Sequence, residues 1–228
     1  PDNPRYFADA KGNAVYLTGS HTWSNFQDMG DTNPPAAFDY DAYLAFLDEY
    51  DHNFIRLWRW EMTVSEVGEE RAYCAPQPWV RTGPDSALDG KPKFDLTRFD
   101  QTYFDRLHAR VKAAGDRGVY VSVMLFEGWA LHASNAPWCW NGHPFNGNNN
   151  INGIEGDTNG DGRGIEIQTM DNPAVLAIEE AYVRKVIDTV NDCENVLYEI
   201  VNESGSYSTA WQYHMITFIK RYEAGKPK

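Results

Sequence analysis

The stretch NVLYEIVNES, residues 195–204, decides the fold class of this chain. Its first seven residues form a nearly continuous apolar run, which is typical of a strand covered on both faces of a parallel sheet. The run VYVSVMLF, residues 119–126, has the same character. Both runs end in polar and aromatic residues, and a segment with helical periodicity lies between them. Buried strands that alternate with helices predict an α/β fold with parallel strands.

The spacing of apolar residues on either side predicts four amphipathic helices, at about residues 38–50, 96–114, 173–190 and 208–222. In the first of them the i, i+3, i+4, i+7 positions that form one face are Tyr40, Tyr43, Leu44 and Leu47. Asn172 and Pro173 are typical of an N-cap followed by the first helical residue. The segment NFIRLWRWE, residues 53–61, is predicted as another strand, followed by a long loop up to about residue 94. Residues 128–170 are also predicted as a loop.

The N-terminal segment RYFADAKGNAVYLTG, residues 5–19, predicts a β-hairpin whose strands flank the turn Lys11-Gly12-Asn13. When the second strand of this hairpin is counted as the first parallel strand, the chain contains four strand–helix units. The crossovers between parallel strands are expected to be right-handed. A doubly wound sheet and a (β/α) barrel both fit this order. No GxGxxG or Walker glycine loop follows any strand, so a nucleotide-binding sheet loses its usual support.

Length and composition limit the classes of protein that fit. We predict a single domain over residues 1–228, and the 14% aromatic content argues against disorder. The net charge of −13 argues against nucleic acid and against an anionic membrane surface as partners. No apolar run approaches the ~20 residues that a membrane helix needs. The three cysteines, Cys74, Cys139 and Cys193, fit one disulfide and a thiol or three thiols. The start at Pro1 shows no signal peptide, and fits a processed chain or a piece of a longer product.

Candidate functional residues follow the strands, because ligands bind past the carboxyl ends of parallel strands. After the first strand these are His21 and Trp23, and after the second Arg56, Trp58, Trp60 and Glu61. After the third they are Glu127, Trp129, Trp138, Trp140 and His143, and after the fourth Asn202 and Glu203. Indole faces beside polar groups suit sugar rings, whose C–H faces stack on them. The alternative is that these aromatic residues anchor their loops by packing.

The ending Asn202-Glu203 resembles the Asn-Glu signature of clan A glycoside hydrolases. FIRLW, residues 54–58, carries Arg56 where that clan keeps an arginine, and ADAKGNAVYLTGSHTW, residues 8–23, looks like the start of cellulase-like barrels. The resemblance implies a (β/α)8 TIM barrel, of which the chain holds the first four β/α units after an N-terminal β-hairpin. It also implies retaining hydrolysis of a β-glycosidic bond in a polysaccharide or oligosaccharide. A secreted or cell-envelope protein is expected.

The same resemblance assigns roles to particular residues. Glu203 becomes the general acid/base, Asn202 the residue that binds the sugar 2-hydroxyl, and Arg56 a support of the site. Substrate contacts are expected, by position only, from His21, Trp23, Trp58, Trp60, Glu127, Trp129, Trp138, Trp140 and His143. The clan carries its nucleophile on the seventh strand, so we expect it beyond the end of this chain. The 228 residues alone are then expected to be inactive, and no cofactor is required for catalysis.

Strand parity adds one inference about the interior of the sheet. Glu199 and Glu203 lie on the same face of their strand, because side chains alternate. If Glu203 faces the barrel interior, Glu199 does so one layer deeper. A buried carboxylate needs a partner, and Arg56 is the nearest candidate by strand position.

The segment DTNGDGRGIEIQ, residues 157–168, resembles a calcium loop in its first half. Asp157, Asn159 and Asp161 match ligand positions 1, 3 and 5 of such a loop, and a glycine follows at position 6. Position 12 is Gln168 instead of an acidic residue, although Glu166 could serve by another loop path. A structural calcium ion and a solvated turn are both open.

Two other classes of protein remain open as alternatives. One is a carbohydrate-binding barrel that has lost catalysis, and the other is a calcium-stabilised structural or adhesion module. A catalytic zinc site is not predicted, because the sequence has no HExxH or paired-cysteine pattern. The sequence does not indicate an oligomeric state.

Overall fold

A computed structural model describes residues 6–8, 11–67 and 70–227. The elements in chain order are β1 (Phe7–Ala8), β2 (Ala14–Val15), β3 (Asp28–Gly30), α1 (Tyr40–Glu49), β4 (Phe54–Leu57), β5 (Val64–Val67), β6 (Glu70–Ala75), β7 (Trp79–Ser86), β8 (Pro92–Phe99), α2 (Gln101–Gly115), β9 (Tyr120–Glu127), α3 (Ala136–Cys139), α4 (Pro173–Val190), β10 (Val196–Asn202) and α5 (Thr209–Ala224). Short 3-10 turns lie at Trp129–Leu131, Trp140–Gly142, Ile165–Gln168 and Ser206–Ser208.

A three-stranded parallel sheet forms the centre of the fold, with the strand order β10-β9-β4. Strand β9 is buried along almost its whole length, as its continuous apolar run predicts. Helices α2 and α4 supply the largest shares of the core on its outer face. Strand β10 is only half-buried, because no neighbour lies on its other side among the described residues.

The expected first parallel strand is the main difference from the predicted topology. Its beginning forms the predicted hairpin, with Phe7 opposite Val15, while Arg5 and Asp9 lie outside the described residues. Residues 16–19 run beside β4, where the Thr18 carbonyl accepts the Asn53 N–H at 2.9 Å, but they form no ladder. Three parallel strands are therefore observed in the described part of the chain, instead of four.

Two antiparallel sheets lie largely in segments that were predicted as loops. Strands β3, β6 and β5 form one, and β7 and β8 form the other. The helix expected from residue 96 begins at Gln101, where Asp100 caps it by accepting the Thr102 N–H at 3.0 Å. Phe94 and Leu96 are both buried on one face of β8, so this stretch has the two-residue period of a strand.

The remaining helix boundaries agree with the sequence pattern. Asn172 caps α4 through its side chain, which accepts the Val175 N–H, and Pro173 is the first helical residue. All three cysteines are unpaired; Cys74 and Cys139 are buried and Cys193 is half-buried. Within the described ranges, none of the helices has the length and apolarity to cross a bilayer.

Candidate active site

A groove of about 430 Å³ opens beside the carboxyl ends of β4, β9 and β10. Its volume lies within the range of about 300–1,000 Å³ that is usual for small-molecule sites. Six of the predicted site residues line it, namely Trp23, Trp58, Trp60, Trp129, Asn202 and Glu203. The sequence did not indicate the remaining lining residues, which are Met29, Met62, Ser65, Glu70, Arg71 and Ala72.

Beneath the groove, Arg56 connects two residues of β10. Its Nε donates to Glu199 Oε2 at 2.8 Å, and its Nη2 contacts the other oxygen of the same carboxylate. Nη2 also donates to Asn202 Oδ1 at 2.9 Å. The expected pairing of Arg56 with Glu199 is therefore confirmed. The guanidinium fixes the carbonyl end of the Asn202 amide.

The amino end of the same amide is fixed by Glu127, the last residue of β9. Asn202 Nδ2 donates to Glu127 Oε1 at 3.2 Å, and the Asn202 side chain is buried. Contacts at both ends leave the amide with one orientation, because its oxygen meets only a donor and its nitrogen only an acceptor. Asn202 is therefore held rigidly at the floor of the groove.

Glu127 itself is buried and does not line the groove, which corrects the expectation of a substrate contact. Its carboxyl accepts the N–H of Trp129 at 2.7 Å and of Ala130 at 2.8 Å. Burial raises the pKa of Glu127 to about 8, although these N–H donors and Asn202 act in the opposite direction. Behind it, Glu61 Oε2 accepts the Glu127 N–H at 2.8 Å.

Glu203 lies at the rim of the groove, where it is exposed and follows directly after β10. Its φ angle is 48°, in the left-handed region that costs a non-glycine residue about 1–2 kcal/mol. The Glu203 carbonyl accepts from His132 Nε2 at 2.7 Å. Gly128 makes room for this turn, because a Cβ there would lie 2.7 Å from the Ser204 Cα. Strain of this kind is concentrated at functional sites.

A row of aromatic rings in mutual contact runs along the groove and ends at His21, which does not line the groove itself. His21 stacks on Trp58 with a centroid distance of 5.4 Å, Trp58 lies 5.5 Å from Trp60, and Trp60 lies 5.8 Å from Trp129. The Arg56 guanidinium lies 4.8 Å above the Trp58 ring. Burial, with a contribution from Arg56, lowers the pKa of His21 and favours its neutral form. Trp23 is 60% exposed, so a large indole face is open to a ligand.

Three predicted substrate contacts lie elsewhere. Trp140 is buried in the core, where a Cβ on Gly164 would overlap its ring at 2.2 Å. His143 stacks on Trp140 at 5.0 Å, and burial lowers its pKa to about 3. Trp138 is partly exposed but does not line the groove. The expectation for all three is corrected: Trp140 and His143 are buried, and Trp138 lies at the surface outside the groove.

Residues 66–228 match a sequence family described as a domain of unknown function, DUF6298. The chain belongs to the DUF6298 family. No curated protein matches its sequence.

Solved structures show which fold the DUF6298 chain shares. It is similar to a glycoside hydrolase candidate from Bacteroides vulgatus ATCC 8482, with a TM-score of 0.54 and 15% identity, over 97% of this chain and 37% of that one. It is also similar to endo-glycoceramidase II from Rhodococcus sp. in its lactosyl-enzyme intermediate, with a TM-score of 0.54 and 15% identity, over 96% and 49% of the chains. The complex of that enzyme with ganglioside GM3 gives a TM-score of 0.52, 16% identity and coverage of 97% and 48%.

These matches establish a mixed α/β fold that corresponds to part of the clan A TIM-barrel hydrolases. The DUF6298 chain spans less than half the length of each of these structures.

A buried charged cluster in the DUF6298 chain lies on the opposite face of β4 and of the residues that follow it. Arg59 is fully buried, and its guanidinium carbon lies 4.2 Å from the centre of the Tyr182 ring. Glu61 Oε1 lies 3.3 Å from Arg59 Nη2. Glu179 accepts from Trp211 Nε1 at 2.8 Å. Burial raises the pKa values of both glutamates. Glu61, which sequence analysis placed with the strand-end residues, therefore faces the core.

The candidate calcium loop is organised around Asp157. Its carboxylate accepts the Gly160 and Asp161 N–H groups at 3.1 and 3.2 Å and the Gly162 N–H at 2.7 Å. Asn159 Nδ2 donates to a carboxylate oxygen of Glu166, so Glu166 lies against the loop.

Gln168 points away from this loop. It donates to the Glu127 carbonyl at 3.1 Å and accepts from Ser204 Oγ at 2.6 Å. The loop is thereby tied to the floor of the groove.

Proposed function

We propose that this chain supplies the acid/base part of the active site of a retaining glycoside hydrolase. One observation carries the proposal: Glu203 borders an aromatic groove directly beside Asn202, whose amide is held by Arg56 and Glu127. This places a carboxyl group, an oriented amide and stacking surfaces around one cavity. These are the groups that glycosidic bond cleavage with retention needs on the acid/base side.

Glu203 has two tasks in the proposed reaction. In the first step a second carboxylate attacks the anomeric carbon while Glu203 gives its proton to the departing glycosidic oxygen. A glycosyl ester with the enzyme forms, and the aglycone leaves as an alcohol. In the second step Glu203 removes a proton from water, whose oxygen attacks the anomeric carbon; this frees the nucleophile as a carboxylate and returns Glu203 to its protonated form. The nucleophile is proposed to lie outside these 228 residues.

The neighbours of Glu203 have binding roles in this proposal. Asn202 binds the sugar 2-hydroxyl, since its amide borders the groove floor and is held in one orientation. Arg56 supports the site by its positive charge, which favours an ionised carboxylate nearby. The indoles of Trp23, Trp58, Trp60 and Trp129 provide faces for sugar rings. The substrate is a β-linked polysaccharide or oligosaccharide, and the protein acts outside the cell or in the cell envelope.

The stereochemistry of the first product tests the proposed reaction. The full-length polypeptide that carries this chain is mixed with a β-linked oligosaccharide, and anomeric protons are followed by NMR. Initial release of the β-anomer supports retention, and initial release of the α-anomer contradicts it. A Glu203→Ala variant is expected to lose turnover, whereas Glu49→Gln, at an exposed carboxylate of α1 outside the groove, should retain it.

A non-catalytic carbohydrate-binding barrel is the second candidate, and the row of aromatic rings favours it as well. Sugar binding with no turnover by the full-length polypeptide would decide for it.

We also propose a structural calcium ion in the loop of Asp157, Asn159 and Asp161, with Glu166 as a further oxygen ligand. Hard oxygen ligands of this kind suit calcium. The loop is connected to the groove through Gln168, so the ion would stiffen the floor of the site.

A further inference from the structure

A second cluster of metal-ligating side chains lies at the opposite end of the parallel sheet from the groove. His108 projects from α2, while Asp192 and Cys193 follow the end of α4, just before β10 begins. Their ligand atoms all lie within 4.8 Å of one another. Of the three thiols in the chain, Cys193 is the one that is not buried.

The distances between the donor atoms fit a tetrahedral metal ion. His108 Nε2 lies 3.0 and 3.2 Å from the two carboxylate oxygens of Asp192, and Cys193 Sγ lies 3.8 Å from one of them. Zinc bond lengths imply donor separations of about 3.4–3.6 Å around one tetrahedral ion. The Asp192 contacts to His108 and Cys193 therefore need shifts of only a few tenths of an ångström, while the imidazole and the thiol, which lie within 4.8 Å of each other, would approach each other through side-chain rotation.

The surroundings hold these donors in place. Asn195 Nδ2 donates to the carbonyls of Val111 and Val119 at 3.1 and 2.9 Å, which clamps the turn before β10 onto the end of α2. A Cβ on Gly115 would lie 2.9 Å from the Asn195 side chain, so this approach requires glycine. The donor groups thus belong to two elements whose separation is already fixed, which lowers the entropy cost of binding.

Charge also favours a cation at this position. The adjoining depression is bordered by the carboxylates of Asp116, Asp192 and Glu194 and by the single ammonium of Lys112. Lys112 is bound to Asp116 at 2.9 Å, which leaves two carboxylates in excess.

We propose that His108, Asp192 and Cys193 form a zinc site that links α2 to the turn between α4 and β10. Zinc binds thiolate, imidazole and carboxylate ligands together, whereas magnesium and calcium prefer oxygen ligands alone. On binding, the ion replaces the Cys193 thiol proton, which is released to solvent, and His108 binds as neutral imidazole through Nε2. The fourth position is left for water or a carboxylate of the depression.

Cobalt(II) is the probe for this site, because it replaces zinc and reports thiolate ligation by a near-ultraviolet charge-transfer band. Titration of the 228-residue chain with cobalt chloride is expected to give this band at one equivalent, and zinc chloride should abolish it. Mutation of a residue that hydrogen-bonds a metal ligand typically lowers metal affinity by about 10–100-fold. Cys193→Ser replaces a ligand itself, so it should weaken cobalt binding by at least about tenfold. The charge-transfer band should disappear in this variant.

His214→Gln is the matched control, since His214 forms a comparable pair with Glu180 at 2.8 Å without a thiol. It should leave the cobalt spectrum unchanged, whereas His108→Gln should weaken binding as Cys193→Ser does. Absence of the band in the wild-type chain would overturn the proposal. A band that persists in Cys193→Ser would also overturn it.

Discussion

Arg56 and Glu199 form a two-point ion pair across the parallel sheet, one layer below Asn202. The side chains are 27% and 23% exposed, so solvent screens the pair only in part. Removal of the carboxylate would leave the guanidinium with fewer acceptors and would loosen its contact with Asn202. The stability of the sheet and the geometry of the groove therefore depend on the same contact.

Glu199→Gln is expected to lower the free energy of unfolding by about 1–3 kcal/mol, because a partly buried arginine loses its charged partner. Urea denaturation measures the effect. Glu66→Gln is the matched control, since Glu66 pairs with Arg71 on the surface and should cost less than about 1 kcal/mol. Equal losses in the two variants would contradict the structural role of the inner pair.

The buried carboxyl of Glu127 predicts a pH dependence of stability. Its pKa is raised to about 8 in the folded chain, above the ordinary value of 4.5, so the folded state retains a proton that the unfolded state releases. Stability therefore falls as the pH rises from about 4.5 to about 8, by at most about 5 kcal/mol from this group. Glu61 and Glu179 contribute in the same direction.

Glu127→Gln should reduce this fall, since the amide does not titrate. Urea denaturation of wild type and variant at pH 5 and pH 8 measures the difference. Glu70→Gln, at the exposed first residue of β6, should retain the wild-type dependence. An unchanged fall in Glu127→Gln would show that Glu127 is ionised in the folded chain at both pH values.

Gly164 is expected to be the most sensitive glycine of the long loop. Its φ is 66°, and a Cβ would overlap the buried Trp140 ring. Gly164→Ala should cost more than about 2 kcal/mol, because both backbone strain and overpacking act on it. Gly90→Ala has a similar φ of 78° with no atom within 4 Å, so it isolates the strain and should cost about 1 kcal/mol. Similar melting temperatures for the two variants would contradict the packing of Trp140.

Calcium should raise the melting temperature of the chain, and a chelator should reverse the increase, because an ion that binds only the folded state stabilises it. The effect should disappear in Asp157→Asn, whose carboxylate organises the loop, and persist in Asp171→Asn outside it. A melting curve that does not respond to calcium or chelator would count against the proposed ion.

The sequence was sufficient for three of the four expected parallel strands, β4, β9 and β10. Strands β9 and β10 carry long apolar runs, and the helices beside them have regular spacing, so both signals were clear. The antiparallel sheets were missed because β3 and β5 are short, β7 and β8 contain prolines, and Phe94 and Leu96 also fit a helical pattern. The first parallel strand was predicted but is not observed. Residues 16–19 run beside β4, but they do not form a hydrogen-bonded ladder with it.

The site residues that come directly after a parallel strand could be predicted from the sequence, because the end of the strand determines where they lie. Asn202, Glu203 and four tryptophans meet in the groove, and parity correctly paired Arg56 with Glu199. Met29 and Met62 were missed because they come from the antiparallel region that was predicted as a loop. Trp140 and His143 were misplaced because composition does not tell whether a loop turns toward the groove or the core. The contact between Glu127 and Asn202 has no signal in a single sequence.

The leaving-group dependence of Glu203→Gln tests the central claim most directly. The full-length polypeptide and its variant are assayed on β-glycosides with an activated aryl leaving group and on natural sugars with a poor one. The account predicts that the variant loses turnover of the natural sugars by at least about a hundredfold, as for a general acid, and forms the glycosyl-enzyme from the activated substrate much closer to the wild-type rate. Near-normal turnover of sugars with poor leaving groups would contradict the acid/base role of Glu203.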